Sequence, residues 1–295
     1  MRVAAIDLGT NTTRLLVADV DDGRLNEVHR ESRITRLGEG VDARRLLLPL
    51  PIARVRNALS DYRRTLESLG AERALAVATS AVRDAENGEA FLGEVEWSYG
   101  FATRLLSGDE EAELTRRGVD PAPGTLVLDI GGGSTELSLD EFHVSLPMGS
   151  VRFTERFGED LDACAAAVRA LLEEHAPIEP RTAVGVAGTV TSLGALAAGD
   201  EDVDGYRLAR DAARTQLDRL ASMRADERSG LPLLDPDRAP VIVAGAVILV
   251  ETLDYFGLAE IEVSIRDLLD GAAFAAAELP AAEEGAAPPG AYTCC

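Results

Sequence analysis

Two stretches of this chain repeat one another, and the repeat limits the fold more tightly than any other feature. "IDLGTNTTRLLVAD", beginning at Ile6, recurs as "LDIGGGSTELSLD" at Leu128: Asp7 matches Asp129, Gly9 matches Gly131, Thr13 matches Thr135 and Leu15 matches Leu137, at a constant offset of 122 residues. Each copy reads as a buried apolar strand that runs to a carboxylate, turns through glycine and small polar residues, and resumes as a second strand. The duplication predicts an α/β protein of two like halves, each opening with strand, phosphate-type turn and strand, and facing one another across a cleft.

The 295 residues leave room for two domains with sizeable cores, and 46% hydrophobic with 27% charged residues is an ordinary globular composition. There is no run of about 18 apolar residues to cross a bilayer. Met1 leads straight into a strand pattern rather than a basic segment followed by an apolar one, so the expectation is a cytoplasmic protein without a membrane partner. A formal charge of −22 repels nucleic acid and anionic lipid alike, which excludes non-specific binding to a phosphate backbone. The chain has no lysine, so a Walker P-loop is ruled out and arginine carries all the cationic chemistry. Cys164, Cys294 and Cys295 show no metal-like spacing to His29, His143 or His175, so neither a zinc site nor a disulfide framework is expected.

Between the repeated turns, Ile52, Val55, Leu59, Tyr62, Leu66 and Leu69 recur at three- and four-residue steps, an amphipathic helix closed by Gly70. A buried strand from Ala74 to Ala78 follows. In "SGDEEAEL" Ser107 and Glu110 form a capping box, which places Glu111 in a first helical turn. After the second turn come a helix from Leu161 to Glu174, the strand "TAVGVAG", a helix starting near Thr191, a buried helix in "APVIVAGAVILVETLDYFG", the strand "IEVS" and a last helix over 265–278. The expected domains are 1–108 and 109–278, the last helix being free to pack back on the first. The Ala, Pro, Gly and Glu-rich tail 279–295 is expected to be disordered.

The second turn, "DIGGGSTE", is suited to an oxyanion: Gly131, Gly132 and Gly133 let backbone N–H groups come close, and Ser134 and Thr135 add hydroxyls. Asp129 and Glu136 flank it, and two carboxylates beside a phosphate cradle suit a hard cation, Mg2+ or Mn2+. The first turn offers Gly9, Thr10, Asn11 and Thr12, with Asp7 as a further metal candidate and Arg14 as a cation where the repeat has Glu136. Arg14 could equally be an ordinary surface charge. Gly188 and Thr189 form a third small-residue turn near a helix N-terminus. Ser80 and Arg83 lie just past a buried strand, where an arginine can bind phosphate through two donors or pair with Asp84.

With these motifs assembled, the chain resembles the exopolyphosphatase and guanosine pentaphosphate phosphohydrolase family of the actin, sugar kinase and heat-shock ATPase superfamily. The likeness runs from Arg2 to about Ala277 through "DLGTNTTRLLV", "ATSAVRDAEN", "SGDEEAEL", "LDIGGGSTEL", "LPMGSVRFTERF", "VGVAGTVTSL" and "VSIRDLLDG". It implies two ribonuclease H-like domains, Glu111 as catalytic carboxylate, Asp129 and Glu136 at the metal and phosphate site, and Arg14 and Arg83 as phosphate-binding arginines. The implied substrates are inorganic polyphosphate, short chains favoured, or guanosine pentaphosphate, and the implied assembly is a homodimer. Glu113 stands where the family commonly has arginine, and "IRDLLDG" replaces a Gly-Leu-Arg-Glu-Gly pattern. The extra C-terminal domains of longer relatives are not expected here. A kinase of the same superfamily and a non-catalytic nucleotide or polyphosphate sensor are the alternatives.

Overall fold

The computed structural model describes residues 1–280; the disorder expected of the tail, and Cys294 and Cys295, lie outside the described residues, apart from Leu279 and Pro280. The chain divides into two compact units, one of Met1–Gly118 with the segment from Leu268 onward, the other of Val119–Asp267. The boundary therefore falls after Gly118 rather than after residue 108.

The first unit contains β1 (Arg2–Leu8), β2 (Thr12–Asp21), β3 (Arg24–Ile34), α1 (Val41–Arg44), α2 (Pro49–Ser68), β4 (Arg73–Ala78), α3 (Ser80–Asp84), α4 (Gly88–Tyr99), β5 (Ala102–Leu105) and α5 (Gly108–Val119). The second contains β6 (Thr125–Ile130), β7 (Thr135–Leu139), β8 (Phe142–Leu146), α6 (Ser150–Phe157), α7 (Leu161–His175), β9 (Thr182–Val186), α8 (Ala187–Ala198), β10 (Arg207–Ala209), α9 (Arg210–Ala221), α10 (Ala225–Arg228), α11 (Ile242–Tyr255) and β11 (Glu260–Val263). The final helix, α12 (Leu268–Glu278), returns to the first unit.

The duplication is visible in the sheets. The first has the order β3-β2-β1-β4-β5 and the second β10-β11-β9-β6-β7-β8. In each, the opening three strands form an antiparallel meander, and the first strand of the meander also pairs in parallel with the strand that follows a helix. Only β10, added antiparallel to β11, has no counterpart.

Both faces of the first sheet are covered, which explains its unbroken apolar strands. Ala4, Ile6 and Leu8 share one core with Val55, Leu59 and Tyr62 of α2 and with Phe91 and Val95 of α4. Their neighbours Val3 and Ala5 point the other way, into a core closed by Leu114 of α5 and by Leu268, Leu269, Ala272 and Ala273 of α12. This is why α5 and α12 belong to the first unit. Arg30 adds an ion pair to the buried Asp270 carboxylate at 3.0 Å, holding the start of α12 against β3.

Two elements differ from the sequence expectation, and a third, β3, had none. Helix α8 starts at Ala187, four residues before Thr191, because Val186 ends the strand and the chain turns at Ala187 with φ of 64°. The last helix starts at Leu268 rather than residue 265. Strand β3 has no clear apolar alternation, yet pairs with β2 along its whole length at the sheet edge.

Candidate active site

The strands that flank the two repeated turns pair in the same register. In the first, Asp7 stands opposite Arg14 and Leu8 opposite Thr13 across the β1–β2 pair; in the second, Asp129 stands opposite Glu136 and Ile130 opposite Thr135 across β6–β7. The third strand continues the row, with Ser32 opposite Arg14 and Ser145 opposite Glu136. Directly opposed residues share a face of the sheet, so each row brings three side chains together. Both turns close with the same backbone bond, Gly9 N to Thr12 O at 3.1 Å and Gly131 N to Ser134 O at 3.0 Å.

The carbonyls of these turns are used by neighbouring backbone. Thr10 O accepts from Gly38 N, and Asn11 O from Thr35 N and Arg36 N; Gly131 O accepts from Ser150 N, and Gly132 O from Val151 N and Arg152 N. The second set seats the turn on the N-terminus of α6, an approach so close that a Cβ on Gly149 would lie 2.4 Å from Gly132 O. With the carbonyls so engaged, the N–H groups of Thr10, Asn11, Gly132 and Gly133 have no acceptor among the described residues. The side-chain amide nitrogen of the buried Asn11 likewise has none. Backbone and amide donors gathered at a turn, without acceptors, form an anion cradle.

Not every hydroxyl expected to donate is available. The Ser134 hydroxyl has no partner among the described residues, but the Thr135 hydroxyl donates to Met148 O at 2.5 Å and holds the turn to the segment before α6. The expectation that Thr135 donates to phosphate is corrected accordingly, because its one proton is already placed. Thr13, its counterpart, makes the equivalent structural bond to Thr35 at 2.9 Å, and its carbonyl accepts from the buried Tyr62 hydroxyl at 2.8 Å. Burial raises the Tyr62 pKa and keeps that hydroxyl protonated.

The charged members of the two rows differ. Asp7 is matched by Arg14, whose Nε and Nη2 reach Oδ2 at 2.9 and 2.8 Å, with side chains only 6% and 19% exposed. Arg14 is thus no ordinary surface charge. In the second unit two buried carboxylates, Asp129 and Glu136, stand opposite one another, and Glu136 accepts from the Ser145 hydroxyl at 2.6 Å. Arg152 Nε donates to Gly133 O at 2.6 Å and brings a positive charge to the edge of this turn.

Glu111 sits in the first turn of α5 and is buried. The capping box sets its place: Glu110 N donates to Ser107 Oγ at 3.2 Å and Ser107 N to the Glu110 carboxylate at 2.8 Å. The bond from Ser107 N, and after it the Arg104 guanidinium, hold the Glu110 carboxyl below its usual pKa. Arg83 donates from Nη1 to Glu111 Oε2 at 3.1 Å and to Leu106 O at 2.7 Å. Ser80, also buried, opens the same short helix as Arg83.

The third turn is more elaborate than its sequence suggests. Ala187 takes a left-handed conformation that costs a non-glycine residue roughly 1–2 kcal/mol. A Cβ at Gly188 would lie 2.2 Å from three atoms of the Arg238 guanidinium, so glycine is required for that arginine to cover the start of α8. Thr189 is buried beside Gly245 of α11. Arg238 and Ser145 carry no motif of their own, Tyr62 is read only as a core position of its helix and Arg152 only as part of "LPMGSVRFTERF"; the contacts of all four are missed by sequence reasoning.

The fold and its paired turns define a duplicated ribonuclease H-like protein of the actin-like ATPase class. Within that class, residues 16–277 match the model of the Ppx/GppA phosphatase family, and the chain belongs to this family. It is 40% identical to exopolyphosphatase 2 of Mycobacterium tuberculosis, over 94% of this chain and 98% of that protein. Among solved structures it is similar to an exopolyphosphatase-like protein (TM-score 0.85, 32% identity, covering 92% of this chain and 97% of the other). It is also similar to the Aquifex aeolicus member of the Ppx/GppA family (TM-score 0.78, 30% identity, covering 94% and 97%).

Proposed function

We propose that this chain is an exopolyphosphatase that hydrolyses the terminal phosphoanhydride of inorganic polyphosphate, with short chains preferred, and that it requires a divalent cation. The observation that carries this reading is the second turn: acceptor-free glycine amides beside two opposed, buried carboxylates. Relatives named exopolyphosphatase support the choice of polymer over a nucleotide. A surface at −22 disfavours long polyanions, which supports the preference for short ones.

Asp129 and Glu136 fit Mg2+ or Mn2+, because they are hard oxygen donors on one face and their mutual repulsion falls when a cation lies between them. Among the described residues no group of three or more His, Cys, Asp or Glu could hold a metal, so protein supplies only part of a coordination shell and water or phosphate oxygens supply the rest. Such partial coordination is what Mg2+ favours. Asp7 fits less well as a third ligand, since Arg14 already matches it. When bound, the ion neutralises negative charge on the phosphate chain.

In the reaction itself Glu111 accepts a proton from the attacking water and aims its oxygen at the terminal phosphorus; the phosphorus–bridging oxygen bond breaks and the shortened chain leaves. In each unit the turn amides donate to phosphate oxygens, with Thr10, Asn11 and Thr12 in the first and Ser134 in the second, and Arg14 and Arg83 add positive charge in the first. No covalent phosphoenzyme is needed. The test is phosphate release from short polyphosphate, long polyphosphate and guanosine pentaphosphate side by side. The expected result is highest kcat/KM on short polyphosphate, complete loss in excess chelator, and a kcat lowered about 10²-fold or more by Glu111→Gln. Chelator-resistant activity would overturn the metal role, and sugar phosphate formed from ATP would mean a kinase.

A further inference from the structure

Resting on the reading of Glu111 as the base, we infer that Arg83 is the positioning residue that sets the Glu111 carboxylate, in addition to any contact it makes with phosphate. One nitrogen, Nη1, serves two acceptors in the segment that leads from β5 into α5: Leu106 O at 2.7 Å and Glu111 Oε2 at 3.1 Å. Leu106 is fully buried, and its own N–H is fixed to Ala78 O at 2.9 Å, so the carbonyl is a rigid anchor joined to the end of β4. Arg83 follows that strand directly, in α3. The guanidinium is therefore held at both ends of a short span, between the strand that precedes it and the capped first turn that carries Glu111.

This geometry differs from a simple stabilising ion pair in what it leaves over. The N–H groups on Nε and Nη2 of Arg83 have no acceptor among the described residues, and its side chain is 25% exposed. A phosphate oxygen can take those donors while Nη1 keeps its hold on Glu111, because the guanidinium is planar and its donors diverge. One rigid group then links the position of the substrate to that of the base. A carboxylate that must aim a water loses rate steeply when displaced, about 10²-fold for a 1 Å error.

The experiment is a double-mutant cycle read in kcat and KM separately, on the full chain with short polyphosphate and saturating Mg2+. Arg83→Met keeps the aliphatic stem and removes every donor; it should lower kcat about 10- to 100-fold. In a Glu111→Gln background the same substitution should cost no further kcat, since there is no longer a base to misplace. Arg83→Lys, which keeps one donor that can reach Glu111, should recover part of the loss, and it carries the cycle if thermal unfolding shows that the Met variant is poorly folded. A rise in KM with kcat intact would overturn the inference and leave Arg83 as a phosphate ligand alone. Equal kcat losses in both backgrounds would also overturn it, while leaving Glu111 as the base. Full kcat in Glu111→Gln itself would instead remove the reading on which the inference rests.

Discussion

The two repeated turns close with the same backbone bond and carry different charges. In the first unit the row across the sheet reads Asp7, Arg14, Ser32; in the second it reads Asp129, Glu136, Ser145. The first row contains its own cation, and Arg14 holds Asp7 through two nitrogens. The second places two buried carboxylates together and turns Ser145 inward to donate to one of them. Asp7 and Arg14 form a buried ion pair, which is costly to break, whereas the second row sets two carboxylates opposite one another. One difference in a duplicated motif thus gives the two turns a different charge across the sheet.

The largest expected effect comes from erasing this difference. Glu136→Arg would make the second row a copy of the first, and phosphate release should fall by at least about 10²-fold, since a bound metal is worth several kcal/mol of charge stabilisation. Excess Mg2+ should not restore it. A variant that keeps most of its activity would show that the two turns are chemically interchangeable.

Next is the closed pair. Arg14→Ala leaves Asp7 buried without its cation and should lower stability by about 3 kcal/mol, read as the midpoint of denaturant unfolding. Adding Asp7→Asn should recover part of that loss. Recovery of nothing would mean that Arg14 stabilises through packing rather than charge. Smaller again is Tyr62→Phe, which removes the donor to the Thr13 carbonyl and should cost about 1–2 kcal/mol. Among the described residues no tyrosine bonds the second turn, where Thr135 bonds Met148 O.

The serines give the finest test. Ser145→Ala should raise the Mg2+ or Mn2+ concentration needed for half-maximal activity by about tenfold, as expected when a group that orients a ligand is lost, with binding of Mn2+ measured directly as a second readout. Ser32→Ala, at the matching place beside Arg14, should change neither. Equal effects at the two positions would remove the distinction drawn between the rows.

Much of the architecture is legible in the sequence because it rests on short-range rules. Leu8–Thr13 and Ile130–Thr135 turn where glycine and small polar residues permit, α2 follows the spacing of Val55, Leu59, Tyr62 and Leu66, and α5 begins where Ser107 and Glu110 cap each other. Strand β3 is hard to read because an edge strand tolerates charge on both faces: "RLNEVHRESRI" buries little and is held by its pairing with β2. The end of the first unit is missed for a different reason. Leu114 and Leu269 meet in one core although they are far apart in the chain, and no local pattern records which sheet an amphipathic helix will cover.

By itself, the sequence determined the duplication, the two turns, the opposed signs of Arg14 and Glu136, the cap that places Glu111, and a formal net charge of −22. These depend on neighbours in the chain or on simple counting. Only the tertiary structure decided which partner each charge would meet. Arg83 turned to Glu111, Thr135 spent its proton on a backbone carbonyl, Ser145 joined Glu136, and Arg238 covered Gly188. The reason is physical: turns and caps are satisfied by backbone groups a few residues away, whereas a buried side chain must find its hydrogen-bond partner among whatever the packed core brings beside it.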